Sequence, residues 1–163
     1  MTDTPDTPDA SERASRPLGG GTIVVGVDGS EPSIEALRQA ATMASALGST
    51  VTAVACWRYP PAYDNFVALE WSPEKDAAQV LEESLTRAYG DSRPAGLRTL
   101  VRQGQPASVL IDESAVADML VVGSRGLGGF TGLLLGSVSA ACAAHARCPV
   151  LVVRHVPSGH EPR

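Results

Sequence analysis

The amino-acid sequence predicts an α/β fold, a single domain built on an open five-stranded parallel sheet with helices on both faces. Short runs rich in Val, Ile and Thr alternate with longer segments of helical periodicity, which is the order of βαβ units. Most of these runs are apolar on both faces, as expected of strands covered by helices from both sides. The length of 163 residues suits one domain with a substantial core.

Two strands and two helices are predicted in the first half. The run TIVVGVD predicts a strand over 22–28, and TVTAVACW predicts another over 50–57. Between them, apolar residues spaced three and four apart predict an amphipathic helix over 31–48, with Pro32 in its first turn and Gly48 at its end. The same spacing predicts a second helix over 72–90.

Three strands and two helices are predicted in the second half. The strand over 97–104 alternates apolar and polar residues, which places it near an edge of the sheet. A helix follows over 105–115, then a buried strand over 118–123. A helix over 137–147 is rich in small residues, so we expect it to pack close to the sheet before a last strand over 148–155.

The rest of the chain is predicted to be irregular. Residues 1–20 are rich in Thr, Asp, Pro and Ser and predict a disordered N-terminal tail, and residues 157–163 predict a flexible C-terminal tail. The domain is therefore expected over 21–156. The long irregular stretch 58–71 holds several aromatic residues, which form either a lid or partner surface or a segment packed on the body.

Composition excludes several classes of protein. The net charge of −5 and the absence of a basic run argue against a nucleic-acid-binding protein. No apolar run is long enough to span a membrane. The three cysteines form neither a disulfide framework nor a metal-binding pattern, and no signal pattern precedes the domain. We therefore expect a cytoplasmic protein without a metal site or a membrane partner.

The most informative segment is the glycine-rich stretch GSRGLGGFTGLLLGSVS, residues 123–139. Ligands of open parallel sheets bind beyond the carboxyl ends of the strands, where the strand order reverses. Glycine lets backbone amides approach an anion, and a helix beginning at Ser137 offers free amides and the positive end of its dipole. Hydroxyl groups of Ser137 and Ser139 and the charge of Arg125 would add to such a site. A glycine-rich surface loop without a ligand explains the spacing equally well.

Other known motifs do not fit this stretch. A P-loop requires a Lys after its second glycine, and none is present. A dinucleotide fingerprint would need glycine where Thr131 stands, and it would follow the first strand. No nucleophile elbow or local Cys–His signature occurs, so no catalytic residue is predicted.

The spacing Gly123-x2-Gly126-x9-Gly136-Ser137 resembles GxxGx9G[ST], the nucleotide motif of the universal stress protein family. Around it, DMLVVG and RCPVLVVR resemble the family's fourth and last strands, and IVVGVDGSEPSIEAL resembles its first strand and helix. The resemblance extends from Thr22 to His155. It implies an adenine nucleotide alpha hydrolase-like fold with strand order 3-2-1-4-5, and it points to the family's ATP-binding branch.

The resemblance also implies roles for individual residues. Gly123, Gly126, Gly136 and Ser137 would contact the phosphates, and Asp28 would lie near the ribose or adenine unless it only forms an Asx turn. Cys56 lies where the family reads adenine through backbone groups, and a side chain at Gly26 would crowd the base. The complete set of predicted nucleotide-binding residues is Gly26, Val27, Asp28, Cys56, Gly123, Ser124, Arg125, Gly126, Gly128, Gly136, Ser137, Val138 and Ser139.

These features predict a protein that binds ATP or another adenine nucleotide and acts as a regulator or sensor in a stress response. Mg²⁺ is expected with the nucleotide on chemical grounds. The resemblance implies a homodimer formed through the last strand, at Val150–Val153. The alternatives are slow ATP hydrolysis in the same pocket and a nucleotide-free dimeric interaction module. An adenylating enzyme fits poorly, because GVDGSEPS lacks a glycine- and serine-rich pyrophosphate loop.

Overall fold

The computed structural model describes residues 20–60, 71–128, 132 and 134–156. Strands and helices alternate along them as predicted. The strands are β1 (Thr22–Val27), β2 (Thr50–Trp57), β3 (Arg98–Gln103), β4 (Met119–Gly123) and β5 (Val150–Val153). The helices are α1 (Glu31–Leu47), α2 (Pro73–Tyr89), α3 (Pro106–Glu113) and α4 (Ser137–His145).

The five strands form one parallel sheet in the order β3-β2-β1-β4-β5, which confirms the predicted fold. Ile23 in the central strand lies opposite Val51 on one side and Met119 on the other. The order reverses between β1 and β4, so the carboxyl ends of these strands meet at the position where parallel sheets hold ligands.

Helices cover both faces of the sheet, and each face has its own apolar core. On one face, Val25 and Val121 pack with Leu37 of α1 and Leu85 of α2. On the other face, Val24, Val54 and Leu120 pack with Leu110 of α3 and Cys142 of α4. Alternate residues of β1 thus enter opposite cores, which explains why its sequence is apolar without alternation.

The ends of the helices follow local chemistry. Ser30 caps α1 by accepting a hydrogen bond from the Ser33 amide at 3.3 Å, and Gly48 ends the helix with a left-handed φ of 65°. α4 ends at His145, two residues before the predicted end, because Ala146 is extended and leads the chain towards β5. The Arg147 amide then donates to Ser114 Oγ at 2.8 Å. β5 covers only Val150–Val153 and is shorter than predicted.

Several predictions concern residues outside the described ones. These are the N-terminal tail over 1–19, the C-terminal tail over 157–163 and residues 61–70 of the aromatic-rich stretch. Within the described ranges, no helix combines the length and the apolar character needed to cross a bilayer.

Candidate functional site

A cavity of about 720 Å³ opens at the carboxyl edge of the sheet, above the ends of β2, β1 and β4. Its size is within the usual range for small-molecule sites. All of the predicted nucleotide-binding residues line this cavity except Ser124. The fold therefore brings together segments from the first strand, the second strand and the glycine-rich stretch.

Ser124 lies behind the cavity wall, where it joins β4 to β5 and to the start of α4. Its amide donates to the Val153 carbonyl at 2.7 Å, and its own carbonyl accepts from the Gly136 amide at 2.7 Å. The Ser139 hydroxyl donates to the same Ser124 carbonyl at 2.9 Å and to the Gly136 carbonyl at 3.0 Å. Ser124 and the Ser139 hydroxyl thus hold the loop in shape, and their role in ligand binding stays a prediction.

The amino end of α4 faces the cavity with its amides available. Gly136 is the N-cap, and it has no side chain to accept from the first turn. The first helical hydrogen bond runs from the Ala140 amide to the Gly136 carbonyl at 3.0 Å. The amides of Ser137, Val138 and Ser139 precede that bond, and no acidic residue occupies the turn. This end of the cavity therefore attracts an anion.

Asp28 stands between β1 and the glycine-rich loop. Its Oδ1 accepts hydrogen bonds from the Ser30 amide at 3.0 Å and from Ser30 Oγ at 2.5 Å, which is the Asx turn considered above. The residue is nevertheless exposed and lines the cavity. A Cβ on Gly126 would lie 2.6 Å from Asp28 Oδ2, so a side chain at 126 would displace the carboxylate from this position.

Two other glycines make room for protein atoms. A Cβ on Gly123 would lie 2.7 Å from the Pro32 carbonyl carbon and 2.9 Å from the Ser33 amide nitrogen. Glycine at 123 therefore lets the end of β4 pack against the first turn of α1. A Cβ on Gly26 would lie 2.7 Å from Leu110 Cδ1, so a side chain there would meet Leu110 before it met a ligand.

The floor of the cavity on the β2 side is apolar. It is formed by Val54, Cys56, Leu110 and Val122. Burial, and to a smaller extent the charge of Glu113 and the neighbouring Cys142, raise the pKa of Cys56 to about 11. The thiol is thus protonated near neutral pH and behaves as a small apolar group.

One wall of the cavity was not predicted, and it is formed by α2 and the residues before it. Pro73, Asp76, Ala77 and Val80 share a helical face that lines the cavity. The spacing of this face was visible in the sequence, but Ala77 and Val80 equally suit a core position. Only the docking of α2 beside the end of β2 decides that they border a cavity.

Both tryptophans of the chain also line the cavity. The Trp71 indole nitrogen donates to Asp76 Oδ2 at 2.7 Å. Trp57, at the end of β2, packs edge-to-face against Tyr59 with ring centroids 5.4 Å apart. From the sequence, Trp57 was predicted at the end of a strand, and Trp71 in an irregular stretch that forms either a lid or partner surface or a segment packed on the body.

The charged groups of the lining are distributed unevenly. Arg125 borders the α4 end, whereas Asp28, Asp76 and Arg58 border the β1 and β2 side. Among the described residues, no three His, Cys, Asp or Glu side chains cluster closely enough to hold a metal ion. The anion-attracting end of the cavity is therefore formed by the backbone amides of α4, with Arg125 as the basic residue beside them.

Comparison with known proteins identifies relatives over most of the chain. The profile described as the universal stress protein family matches residues 21–154. A universal stress protein of Mycolicibacterium smegmatis is 34% identical over 137 residues, which cover 81% of this chain and 45% of that protein. One from Mycobacterium tuberculosis is 35% identical over 133 residues, covering 81% of this chain and 44% of the relative. The chain thus spans about half the length of these curated relatives.

Solved structures of similar fold belong to the same family. UspA from Lactobacillus plantarum superposes with a TM-score of 0.70 at 22% identity, covering 85% of this chain and 100% of the other. A universal stress protein solved in complex with cAMP gives a TM-score of 0.61 at 29% identity, covering 82% and 96%. An Arabidopsis thaliana family member with AMP bound gives 0.57 at 22% identity, covering 84% and 93%. With the profile match, these findings establish that the chain belongs to the universal stress protein family.

Proposed function

We propose that this protein binds an adenine nucleotide, with ATP as the preferred ligand, and acts as a regulator or sensor in a stress response. One observation carries the proposal. The amino end of α4, which has no side-chain cap, borders a large and partly apolar cavity at the point between β1 and β4 where the strand order reverses. The family relative solved with cAMP supports an adenine nucleotide as the ligand class.

The orientation of the nucleotide follows from the two ends of the cavity. The phosphates would be bound at the α4 end by the amides of Ser137, Val138 and Ser139, with Arg125 adding a positive charge. The base would lie towards β2, over the apolar floor. Neighbouring strands are about 4.8 Å apart, so β2 and β4 are separated by about 10 Å, which suits a nucleotide lying across β1.

Asp28 is then the candidate partner of the ribose, because β1 lies between the base end and the phosphate end. Ser30 fixes Asp28 Oδ1, and a carboxylate held in this way accepts hydrogen bonds from sugar hydroxyls. Mg²⁺ would be bound chiefly by the phosphate oxygens, since the described side chains provide no metal-ligand cluster.

Two further elements of the proposal concern assembly and location. β5 is an outer strand of the sheet, and an unpaired edge of this kind is a surface for strand pairing with a second copy. We propose a homodimer through Val150–Val153 on this basis. A cytoplasmic location is supported by the three free cysteines, which suit a reducing compartment.

Calorimetric titration with MgATP tests the nucleotide site, using Gly136→Asp and Gly136→Ala as a matched pair. A Cβ on Gly136 has its nearest neighbour at 3.4 Å, so Ala fits and should retain the micromolar binding expected of the wild type. Asp at the N-cap accepts from the first-turn amides and competes for them. Its charge about 4 Å from a phosphate costs about 4 kcal/mol, so we expect a loss of at least about 100-fold.

Circular dichroism of both variants verifies that they fold, and phosphate release from the same samples measures any slow hydrolysis. If the wild type, freed of co-purified nucleotide, binds none of ATP, ADP, AMP and cAMP, the nucleotide proposal is wrong. Equal binding by wild type and Gly136→Asp would instead show that the phosphates do not bind at the amino end of α4.

A further inference from the structure

The wall that α2 contributes to the cavity has a chemistry different from that of the phosphate end. Trp71 stands next to Ser72, the N-cap of α2, and 40% of its surface is exposed, a larger share than is usual for tryptophan. It lines the cavity together with Pro73, Ala77 and Val80. An aromatic and aliphatic wall therefore stands on the β2 side, where the proposed function locates the base.

The indole of Trp71 is oriented by α2 itself. Its ring nitrogen donates to Asp76 Oδ2 at 2.7 Å, and Asp76 lies in the first turn of the helix. The polar atom of the ring is thereby satisfied by a hydrogen bond in the plane of the indole, which fixes the edge of the ring. The Pro73 ring at the first turn further restricts the chain next to Trp71.

Charge also favours the base over the phosphates at this wall. The Asp76 carboxylate borders the cavity here, and Glu74 shares the same helical turn. Both would repel a polyphosphate near α2, and Arg58 on the same side of the cavity offsets part of this repulsion. The amino end of α4, in contrast, has no acidic residue in its first turn. A neutral aromatic base meets no such repulsion, and it gains stacking and apolar contact.

We propose that Trp71 stacks on the base of the bound nucleotide and that Asp76 is the positioning residue that holds its indole. This inference rests on the proposed function and adds the residues that recognise the base. Stacking depends on a π-face that every base has, so Trp71 supplies affinity for a nucleobase as a class.

The test compares a ligand with a base and a ligand without one. MgATP and magnesium tripolyphosphate are titrated into the wild type, Trp71→Ala and Trp71→Phe. Losing a stacking partner weakens binding by about 5- to 100-fold, so Trp71→Ala should lose that much affinity for MgATP. Its affinity for tripolyphosphate should be unchanged, and Trp71→Phe, which keeps a ring, should recover most of the MgATP affinity.

Asp76→Ala tests the positioning role, with Glu74→Ala as its matched control. Both changes remove one carboxylate from the first turn of α2, but only Asp76 accepts the indole hydrogen bond and lines the cavity. We expect Asp76→Ala to lower MgATP affinity several-fold and Glu74→Ala to leave it unchanged. Equal effects of the two substitutions would refute the positioning role.

Fluorescence gives an independent measurement, since Trp57→Phe leaves Trp71 as the single indole of the chain. Titration with MgATP should change the fluorescence emission of Trp71. The dissociation constant from this change should equal the one found by calorimetry. If Trp71→Ala binds MgATP like the wild type, or loses MgATP and tripolyphosphate equally, the stacking inference is wrong while the nucleotide site stands. Absence of any nucleotide binding by the wild type overturns both.

Discussion

At the scale of single residues, the glycines of the motif have different tasks. Gly136 leaves the first turn of α4 open, and Gly126 makes room for the Asp28 carboxylate. Gly123 lets β4 contact the backbone of α1. The motif resembles a nucleotide-binding signature, but some of its glycines are required for packing. Whether a mutation changes binding or stability therefore depends on which glycine is replaced.

Gly123→Ala should lower the free energy of unfolding by about 1–3 kcal/mol, the usual cost of overpacking. The added methyl group would lie within 3 Å of the Pro32 and Ser33 backbone, which has no side-chain freedom to move aside. Urea denaturation measures the difference. Gly128→Ala is the control, because a Cβ there has no neighbour within 4 Å. Equal stability of the two variants would contradict the packing role of Gly123.

At the scale of elements, α1 and α2 are joined by more than apolar contact. The Tyr89 hydroxyl at the end of α2 donates to the Leu37 carbonyl of α1 at 2.6 Å. The Arg87 side chain forms an ion pair with Glu31, and the Arg87 carbonyl accepts a hydrogen bond from the Arg38 side chain. Both contacts are at exposed positions, where such interactions contribute little. Of these three polar contacts, the hydrogen bond of the Tyr89 hydroxyl is the least exposed to solvent, so we expect it to contribute most to the docking of α2 on α1.

Tyr89→Phe should lower the free energy of unfolding by about 1 kcal/mol near neutral pH, because the hydrogen bond from the hydroxyl to the Leu37 carbonyl is lost. Burial raises the pKa of Tyr89 from 10.0 to about 12. The unfolded chain thus releases this proton near pH 10 and the folded chain only near pH 12. The wild type should therefore lose stability as the pH rises between these values.

Urea denaturation of both proteins from pH 9 to 12 measures this difference. Burial also raises the pKa of Cys56 and Cys148 to about 11, and their contribution declines over pH 9 to 11 in both proteins. The Tyr89→Phe protein should accordingly show the smaller alkaline loss. Parallel stability curves above pH 10 would refute the buried state of the hydroxyl.

At the scale of the whole molecule, the proposed dimer depends on which backbone groups of β5 point outward. The Leu120 amide donates to the Pro149 carbonyl, and the Ser124 amide donates to the Val153 carbonyl. Backbone groups alternate along a strand, so Leu151 and Val153 face β4 while Val150 and Val152 direct theirs away from the sheet.

Val152→Pro should convert the proposed dimer into a monomer. Proline removes an outward N–H and is tolerated in edge strands, so pairing with β4 is retained. Val152→Ala is the control, since it shortens the side chain but keeps the N–H. Light scattering after size-exclusion chromatography gives the mass of each. A wild type that is monomeric, or a Val152→Pro protein that stays dimeric, would exclude assembly through this edge.

The sequence by itself determined the elements of this fold. Hydrophobic patterning and local composition predicted every described strand and helix, and Pro32 and Gly48 marked the ends of α1, because these signals act within a few residues of the chain. The alternation of β3 correctly predicted an edge position. The strand order and the positions of the loop residues in the candidate site came from the family motif, since neither periodicity nor spacing encodes which strands are neighbours.

Only the tertiary structure decided what each element contributes to the cavity. The cavity wall formed by α2 and the contact of Leu110 with Gly26 each bring together residues from separate elements. The Trp71–Asp76 hydrogen bond links a helix to the segment before it. Local sequence cannot distinguish a helix face that borders a cavity from one that borders a core, because both require the same apolar spacing. The difference arises from where parallel strands end and how closely the covering helices approach them.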